Sequence, residues 1–320
     1  MTKFSKLLAA SAVLAASLSA PIAAHAEKTL RAGIWLPEQL VWAVPTRMFV
    51  DHVNETGKGV LQINLTGPEA IPATEQANAL RTGLLDMATL PPGLYKQQVP
   101  LGNAQDISDM SVQEQKESGA YEYMRELTQE QLGAYMLASY GDGINFHIYV
   151  NKDITSLDDL KGLRLRSSPI YNAFFAALGM STTSTPAPEV YTALERGVVQ
   201  GLGWPYWGVQ DLGWDEFLTT RVDPGFYNVA INILINNDTW AGLSDEERKI
   251  LEDSVTWLEA ELPAFNEEQN AKNLAAQDAA GIKSFDAGPD LPVMAADIYW
   301  EEMAKIDAEG TAKLRDLFQK

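Results

Sequence analysis

A sequence motif that occurs twice in the chain determines the fold. The sequence EQANALRTGLLD at positions 75–86 recurs as EVYTALERGVVQ at positions 189–200. In each copy Ala and Leu precede a Gly that stops a helix, and an apolar pair then starts what is predicted to be a buried strand. A pattern repeated at this spacing marks a repeated structural unit. We therefore predict two similar α/β lobes with a cleft between them that a ligand can close.

The stretches around the two copies extend this pattern. Strands are predicted at 30–35, 61–65, 84–89, 134–139, 145–150, 163–166, 180–183, 198–201 and 229–235, and helices at 37–53, 111–130, 169–178, after Ser244 with an interruption at Pro263, and in the tail. Strands that alternate with helices favour parallel order. We predict lobe I over residues 27–145, lobe II over 146–235, and a C-terminal helical region over 236–320 that completes both lobes. The chain is expected to cross between lobes near residues 145–150.

The first 26 residues have the pattern of a secretory signal peptide. Lys3 and Lys6 precede an uncharged run from Leu7 to Ala20, which is too short to span a bilayer, and Ala24-His25-Ala26 supplies a small-residue cleavage site. No later stretch approaches the length of a membrane span. The sequence therefore predicts a periplasmic protein whose mature chain begins at Glu27.

Charge and cysteine content exclude several classes of function. The chain has a formal net charge of -19 and contains no cysteine. Removal of Lys3 and Lys6 would bring the charge to about -21, which repels nucleic acid and anionic membranes. Without cysteine there is no disulfide, thiolate metal site, cysteine nucleophile or lipid-modified N-terminal Cys. An anionic ligand would need a local positive group in the cleft.

Catalytic patterns are weak. Only His52 and His147 follow the predicted signal peptide, and no HExxH, GxSxG, Walker loop or GxGxxG occurs. The acidic pairs Asp158-Asp159 and Glu246-Glu247 lie at predicted helix starts, where they favour the helix dipole. We predict no enzyme activity, no metal and no cofactor; the enzyme alternative is a secreted hydrolase that uses carboxylates alone.

Arg166 ends a predicted parallel strand directly before a helix. Ligands of open α/β sheets bind at the carboxyl ends of the strands, and a guanidinium there matches a carboxylate. Trp204 and Trp207 lie at the equivalent strand end of the neighbouring unit, in a loop with Gly and Pro. A surface salt bridge of Arg166 and packing of one Trp under the loop are the structural alternatives. Together, Arg166, Trp204 and Trp207 predict a ligand site in which a cationic anchor lies beside a flat aromatic wall.

Three stretches resemble the solute-binding component of tripartite ATP-independent periplasmic (TRAP) transporters. They are the run LDDLKGLRLR at 157–166, the helix PEVYTAL at 188–194 with Gly197-Val198-Val199, and the turn TGLLDM at 82–87. The resemblance covers nearly the whole mature length. It implies two α/β lobes joined by crossing strands and by a long helix that spans both, and a small organic anion whose carboxylate pairs with Arg166. It further implies a monomer, although some members dimerise, that delivers its ligand to a small and a large membrane subunit.

The chain departs from the family pattern at several expected contact positions. Trp204 stands where an Asn often contacts the ligand, either Phe146 or His147 stands where a second basic residue is common, and Trp35 lies near a first-lobe polar contact. Glu75, which begins the first copy of the repeat, completes the candidate ligand-binding residues. These replacements predict a flatter and less polar pocket, since lost hydrogen-bonding groups would leave sugar hydroxyls unpaired.

The predicted ligand is therefore an aromatic or otherwise hydrophobic carboxylate. A zwitterionic compatible solute, which would use the rings through cation–π contact, or a 2-oxo acid is the alternative ligand. A chemosensory or sensor-kinase receptor of the same shape is the alternative function within binding proteins.

Overall fold

Residues 27–318 are described by a computed structural model, and they form two mixed β-sheets with helices packed against them. The predicted signal peptide, residues 1–26, lies outside the described residues. Within residues 27–318, none of the helices combines the length and the apolar character needed to cross a membrane.

The strands are β1 (Lys28–Ile34), β2 (Leu61–Thr66), β3 (Met87–Leu90), β4 (Ala134–Tyr140), β5 (Asn145–Val150), β6 (Arg164–Ser167), β7 (Ser181–Ser184), β8 (Gly201–Pro205), β9 (Thr220–Asn228), β10 (Ile231–Asn236) and β11 (Lys283–Asp286). The helices are α1 (Val44–Thr56), α2 (Ala73–Arg81), α3 (Val112–Ser118), α4 (Ala120–Leu127), α5 (Asn172–Ala177), α6 (Val190–Glu195), α7 (Asn237–Ala241), α8 (Asp245–Ala279), α9 (Asp290–Ala304) and α10 (Ala308–Leu317).

Two predicted helices differ from the structure. The helix expected over residues 111–130 is divided at Gly119 into α3 and α4. The helix expected to break at Pro263 instead runs unbroken through it as α8. Pro263 is exposed, so water can bind the carbonyl one turn earlier that loses its helical hydrogen bond.

The two sheets share one strand order. In the first sheet the order is β2-β1-β3-β10-β4, and in the second it is β7-β6-β8-β5-β9-β11. Each begins with three parallel strands, and the fourth strand pairs antiparallel with the third. The repeat in the sequence therefore marks a repeat in topology, and the prediction of a two-lobed α/β fold is confirmed.

The two copies of the repeated motif make the same local contacts. The Leu85 N–H donates to the Ala79 carbonyl (3.0 Å), and the Val199 N–H donates to the Ala193 carbonyl (3.3 Å). Gly83 and Gly197 end the two helices with φ angles of 73° and 66°, a conformation that favours glycine. The strand in each copy begins two residues after the apolar pair.

The last residue of each copy hydrogen-bonds the middle one of the three parallel strands in its sheet. Asp86 Oδ2 accepts from the Arg31 N–H (2.8 Å), and Gln200 Oε1 accepts from the Arg164 N–H (2.9 Å). The apolar pairs are only half buried, because Leu84 and Val198 are 57% and 45% exposed. This corrects the expectation that both members of each pair enter the strand.

The lobes are connected by two chain segments that lie side by side. Residues 141–144 join β4 to β5, and Val229 with Ala230 joins β9 to β10. The Val229 N–H donates to the Ile144 carbonyl (2.8 Å), and the antiparallel pairs β4·β10 and β5·β9 continue this ribbon into both sheets. Gly141 has a φ of 112°, and a Cβ there would lie 2.6 Å from the Val229 carbonyl oxygen. The connecting ribbon thus has no room for a side chain at residue 141.

Helix α8 spans both lobes, as expected from the resemblance. Its first half packs against α1 and β4 in the first lobe. Asn266 donates to the carbonyl of Asp142 in the ribbon (3.3 Å), and Gln277 donates to the Tyr206 carbonyl in the second lobe (2.9 Å). The helix therefore contacts the first lobe, the ribbon and the second lobe in turn.

The sheets differ from the predicted division of the chain at two strands. Strand β10 belongs to the first sheet, whereas the sequence predicts lobe II up to residue 235. Strand β11, in the predicted C-terminal helical region, belongs to the second sheet. The alternating pattern of residues 229–235 identified a strand but carried no information on its sheet.

Candidate functional site

A cleft of about 640 Å³ opens between the two sheets. It is lined by residues at the carboxyl ends of the parallel strands β1, β3, β6 and β8 and by residues of the connecting ribbon. This is the edge at which open α/β sheets bind ligands.

Arg166 contributes a buried cation to this cleft. The residue is 9% exposed, its Nε donates to the Thr185 carbonyl (3.0 Å), and its Nη1 lies 3.5 Å from the Gly203 carbonyl. No carboxylate within residues 27–318 forms an ion pair with it, and Nη2 has no hydrogen-bond partner there. Burial lowers the pKa of Arg166 below its usual value, but a guanidinium stays protonated at any physiological pH. The cleft thus holds an uncompensated positive charge.

Aromatic rings form much of the wall around Arg166. The Trp204 ring centroid lies 5.2 Å from the Arg166 guanidinium carbon, and the Trp204 indole N–H donates to the Trp207 carbonyl (2.8 Å). Phe146 lines the opposite side, with its ring 5.1 Å from that of Tyr171. Trp35 lines the cleft from the end of β1. Four predicted residues, Arg166, Trp204, Phe146 and Trp35, are therefore brought together.

Trp204 and Trp207 are held differently from the expected loop. Trp204 lies within strand β8, and Trp207 follows in a turn. Trp207 is fully buried outside the cleft lining, packs against Trp42 with ring centroids 4.7 Å apart, and donates its indole N–H to Asn270 (2.8 Å). Its carbonyl positions Trp204, so Trp207 supports the wall and does not form it.

His147 is buried and lies outside the residues that line the cleft. Phe146 and His147 are successive residues of β5 and point to opposite faces of the sheet, and of the two only Phe146 lines the cleft. The Nδ1 of His147 is 2.9 Å from Asp223 Oδ1, and its ring stacks on Tyr206 at 4.2 Å. Burial alone would raise the pKa of Asp223, but hydrogen bonds from His147, Arg221 and Ser284 lower it well below the usual range. Of the two residues left open by the sequence, Phe146 is the one that lines the cleft.

Glu75 also lies outside the cleft lining. It is exposed in the first turn of α2, where a carboxylate favours the helix dipole. Its place in the repeat thus has a structural explanation.

The polar cleft residues that were not predicted include Asp106, Asn103 and Lys96. Asp106 is 4% exposed; its Oδ1 accepts from the Ala230 N–H (3.2 Å) and its Oδ2 from Asn103 Nδ2 (2.7 Å). Burial raises the pKa of Asp106 to about 7. Lys96 also lines the cleft, and burial lowers its pKa. Asp106 and Asn103 lie in a short 3-10 helix and Lys96 in a turn after β3, where no strand or α-helical period exists to orient them. The signal available was their position after a strand end that Pro91-Pro92-Gly93 terminates.

The chain matches one protein family and is similar to several known binding proteins. The model of the family described as bacterial extracellular solute-binding protein, family 7, matches residues 33–290. A monocarboxylate 2-oxoacid-binding periplasmic protein of Nostoc sp. is 28% identical over 169 residues, 50% of this chain and 46% of that protein. A solute-binding protein of Roseobacter denitrificans is 24% identical over 271 residues, 82% of this chain and 83% of that protein. The chain thus aligns with about half of the first relative and most of the second.

Solved structures share the fold over nearly the whole chain. A TRAP periplasmic solute-binding protein from Desulfovibrio salexigens with bound orotic acid has a TM-score of 0.81 at 19% identity, covering 91% of this chain and 97% of that one. The Roseobacter relative with bound L-galactonate has a TM-score of 0.77 at 18% identity, covering 91% and 98%. At these identities the likeness concerns the fold.

Proposed function

The chain belongs to bacterial extracellular solute-binding protein family 7, the TRAP solute receptors, and on that basis we propose that its cleft binds a small, flat organic monocarboxylate for delivery to a TRAP permease. The family consists of solute-binding proteins of transporters and not of enzymes. The ligand class, the named anchor and the delivery step are our proposal.

The observation that carries the proposal is the unpaired charge of Arg166. A buried cation without a counter-ion is unfavourable, and a ligand carboxylate would supply the missing partner. The planar guanidinium has its Nη2 free among the described residues and matches the two oxygens of a carboxylate. The overall charge of -19 opposes an approaching anion, so the attraction has to come from the cleft itself.

The aromatic wall supports a flat ligand. Trp204, Phe146 and Trp35 present ring surface to the cleft, and offset stacking on such rings favours planar groups. The orotic acid of the Desulfovibrio structure and the 2-oxo acids of the Nostoc relative's name are small carboxylates, whereas the L-galactonate of the Roseobacter structure is a polyhydroxy acid. The rings in this chain favour the planar acids.

The rest of the proposal follows the family. We propose that the mature protein is periplasmic and monomeric and that it meets a small and a large membrane subunit, since TRAP receptors work with such a permease. A sensor receptor would bind the same ligand, and solute uptake reconstituted with the two membrane subunits distinguishes transport from sensing.

A thermal-shift screen with matched ligands tests the proposal. Benzoate, 2-oxobutyrate, orotate and galactonate would be compared with benzamide, which keeps the ring of benzoate but lacks its charge. A ligand at 100 times its Kd stabilises by about 2.7 kcal/mol, which raises Tm by roughly 5 °C or more in a chain of this size. We expect planar carboxylates to raise Tm and benzamide to leave it unchanged. Equal shifts with benzoate and benzamide, or shifts with galactonate alone, would contradict the proposal.

A further inference from the structure

We propose that Asp106 and Asn103 form a second recognition point in the cleft, an acceptor pair that binds a nitrogen-bound hydrogen of the ligand. The preferred solute is then a monocarboxylate that also carries a ring N–H or an ammonium group. This inference rests on the proposed function, because it assumes that the carboxylate pairs with Arg166.

Asp106 and Asn103 have more acceptor lone pairs than the protein supplies hydrogen-bond donors to them. The Asp106 carboxylate accepts one hydrogen bond at each oxygen, from Ala230 and from Asn103, whereas each of its oxygens has two lone pairs. The Oδ1 of Asn103 is buried without a hydrogen-bond partner among the described residues, and Asn103 is 1% exposed. Buried acceptors without donors are uncommon, so a donor from the ligand is the expected complement.

Neither of the two cationic side chains in the cleft forms an ion pair with Asp106. Arg166 and Lys96 line the same cleft, but no ion pair joins either of them to Asp106. The Lys96 ammonium instead lies 5.3 Å from the centroid of the Tyr299 ring. Burial of a carboxyl group without a cation is costly, and structural carboxylates that are buried are normally paired. Asp106 thus lines the cleft without a cation partner among the described residues.

The two recognition points share one cleft. Arg166, Tyr171, Asp106 and Asn103 all line it, and Tyr171 packs against Phe146 with ring centroids 5.1 Å apart. The cleft has a volume of about 640 Å³, so one small molecule can meet the cation and the acceptors within it.

This polarity discriminates among small acids. Above pH 7, where Asp106 is ionised, a 2-oxo acid offers oxygen acceptors throughout, so its carbonyl would face the lone pairs of Asp106 and Asn103 without a hydrogen bond. An acid with an N–H group offers a donor at that point. Sites with buried polar groups reject analogues that leave those groups unpaired more strongly than apolar pockets reject a change of size.

Two ligand pairs that differ only at the predicted donor test the inference on wild-type protein. Pyrrole-2-carboxylate and furan-2-carboxylate differ by a ring N–H against a ring oxygen, and L-proline and cyclopentanecarboxylate differ by an ammonium against a methylene. Titration calorimetry is expected to show at least tenfold tighter binding for the nitrogen member of one pair or both. This measurement needs no variant and does not depend on the folding of a mutant.

Asp106→Asn tests the acceptor pair directly. The new amide keeps an oxygen for the Ala230 N–H, and its nitrogen can donate to the unpartnered Asn103 Oδ1, which turns the Asn103 amide and removes the surplus acceptors. The preference for the nitrogen ligand should fall to within about threefold. The matched control is Asp109→Asn, which removes the same charge three residues away from an exposed side chain outside the cleft lining.

The possible results separate this inference from the proposed function. If furan-2-carboxylate binds as tightly as pyrrole-2-carboxylate, cyclopentanecarboxylate as tightly as proline, and binding still requires Arg166, the acceptor pair is wrong and the carboxylate site stands. The acceptor pair is equally wrong if benzoate or 2-oxobutyrate binds and neither nitrogen-containing acid does. If no carboxylate binds at all, both the proposed function and this inference fail.

Discussion

The guanidinium of Arg166 stacks against the indole of Trp204, with 5.2 Å between the guanidinium carbon and the ring centroid. The two residues come from neighbouring parallel strands, β6 and β8, and the Trp207 carbonyl holds the indole through its N–H. One face of the cation is therefore covered by an aromatic ring, and its Nη2 remains for a ligand. The Arg166 guanidinium and the Trp204 ring thus form one continuous part of the cleft surface.

Arg166→Ala is expected to reduce affinity for any carboxylate more than any other single change in the cleft. Removal of one partner of a buried charge pair costs roughly 2 to 5 kcal/mol, which corresponds to about 30-fold to several thousand-fold in Kd. Arg166→Lys should restore only part of the affinity, because an ammonium keeps the charge and loses the planar fork. Titration calorimetry measures both.

Arg164→Ala is the control for this prediction. Arg164 lies two residues earlier on the same strand and is exposed. Its loss removes the same formal charge from the protein without entering the cleft, so Kd should change by less than about twofold. Comparable losses for Arg164→Ala and Arg166→Ala would mean that general electrostatics and not a site explain binding.

Trp204→Leu is expected to weaken binding of planar acids by about tenfold or more and to reduce the change in tryptophan fluorescence on binding. Aromatic contacts contribute roughly 0.5 to 1.5 kcal/mol beyond burial, and loss of the ring also uncovers the Arg166 guanidinium. Trp240→Leu is the matched control, because Trp240 packs near Arg248 in the same way, 5.7 Å away, outside the cleft lining. An equal loss of affinity in the two variants would show that the Trp204 ring is not part of the binding site.

The ligand-free protein should lose stability as pH rises, in part because of Asp106. Burial raises the pKa of Asp106 to about 7, above the value of about 3.9 in an unfolded chain, so the folded state holds the proton more tightly. Stability from this group is complete below about pH 4 and is lost as pH rises through 7. Between pH 5 and pH 8 the loss is roughly 2 to 3 kcal/mol.

Urea unfolding of wild type and Asp106→Asn at pH 5 and pH 8 measures this effect. Asp106→Asn should gain relative stability at pH 8, whereas Asp109→Asn should follow wild type. Tyr95, Tyr171, Tyr227 and Tyr299 interact with the same charge, and their pKa values are raised above 10, so they stay neutral over this range. Parallel pH profiles for wild type and Asp106→Asn would show that Asp106 does not titrate near neutrality.

Gly83→Ala and Gly197→Ala should destabilise the protein by similar amounts, about 1 kcal/mol each. Both positions have positive φ, and a Cβ at either would meet no atom within 4 Å, so the cost is conformational and not steric. Gly93→Ala is the control, because its φ is not positive and its nearest contacts are 3.7 Å or longer. Chemical denaturation gives the three values. A clear difference between Gly83→Ala and Gly197→Ala would show that the two turns are not equivalent.

Binding is expected to close the lobes. The cleft takes its lining from both sheets, with Arg166 on the second lobe and Trp35 on the first, so we expect a ligand to contact both lobes. Small-angle scattering should give a smaller radius of gyration with the tightest acid of the screen than without it. Benzamide at the same concentration serves as the control. An unchanged radius at saturation would contradict closure.

The sequence predicted most of the strands because they depend on local pattern, but β9 and β11 were not predicted. The predicted strand from Asn145 to Val150 matches β5 residue for residue, and the strand containing Arg166 extends one residue beyond its predicted end. The repeated motif predicted two lobes because Gly and the buried apolar residue after it are needed in each turn. These features are determined by neighbours in the chain.

The polar side of the cleft was not predictable in the same way. Asp106 and Asn103 lie in an irregular turn, and Asp106 is positioned by the Ala230 N–H, which is 124 residues away in the chain. The roles of Phe146 and His147 depended on a register of one residue, which the sheet settles and the sequence pattern did not. The positions of these residues thus depend on contacts between segments that are far apart in the chain, which local periodicity does not reveal.

We expect the connecting ribbon to select for ligand shape as well. Its two segments are hydrogen-bonded to each other at Ile144 and Val229, and we expect such a ribbon to bend across its flat face more easily than it shears in its plane. The lobes would then approach each other along one preferred path. A solute that fits both walls only when they are rotated away from this path should bind weakly, even if it carries every chemical group that the cleft recognises.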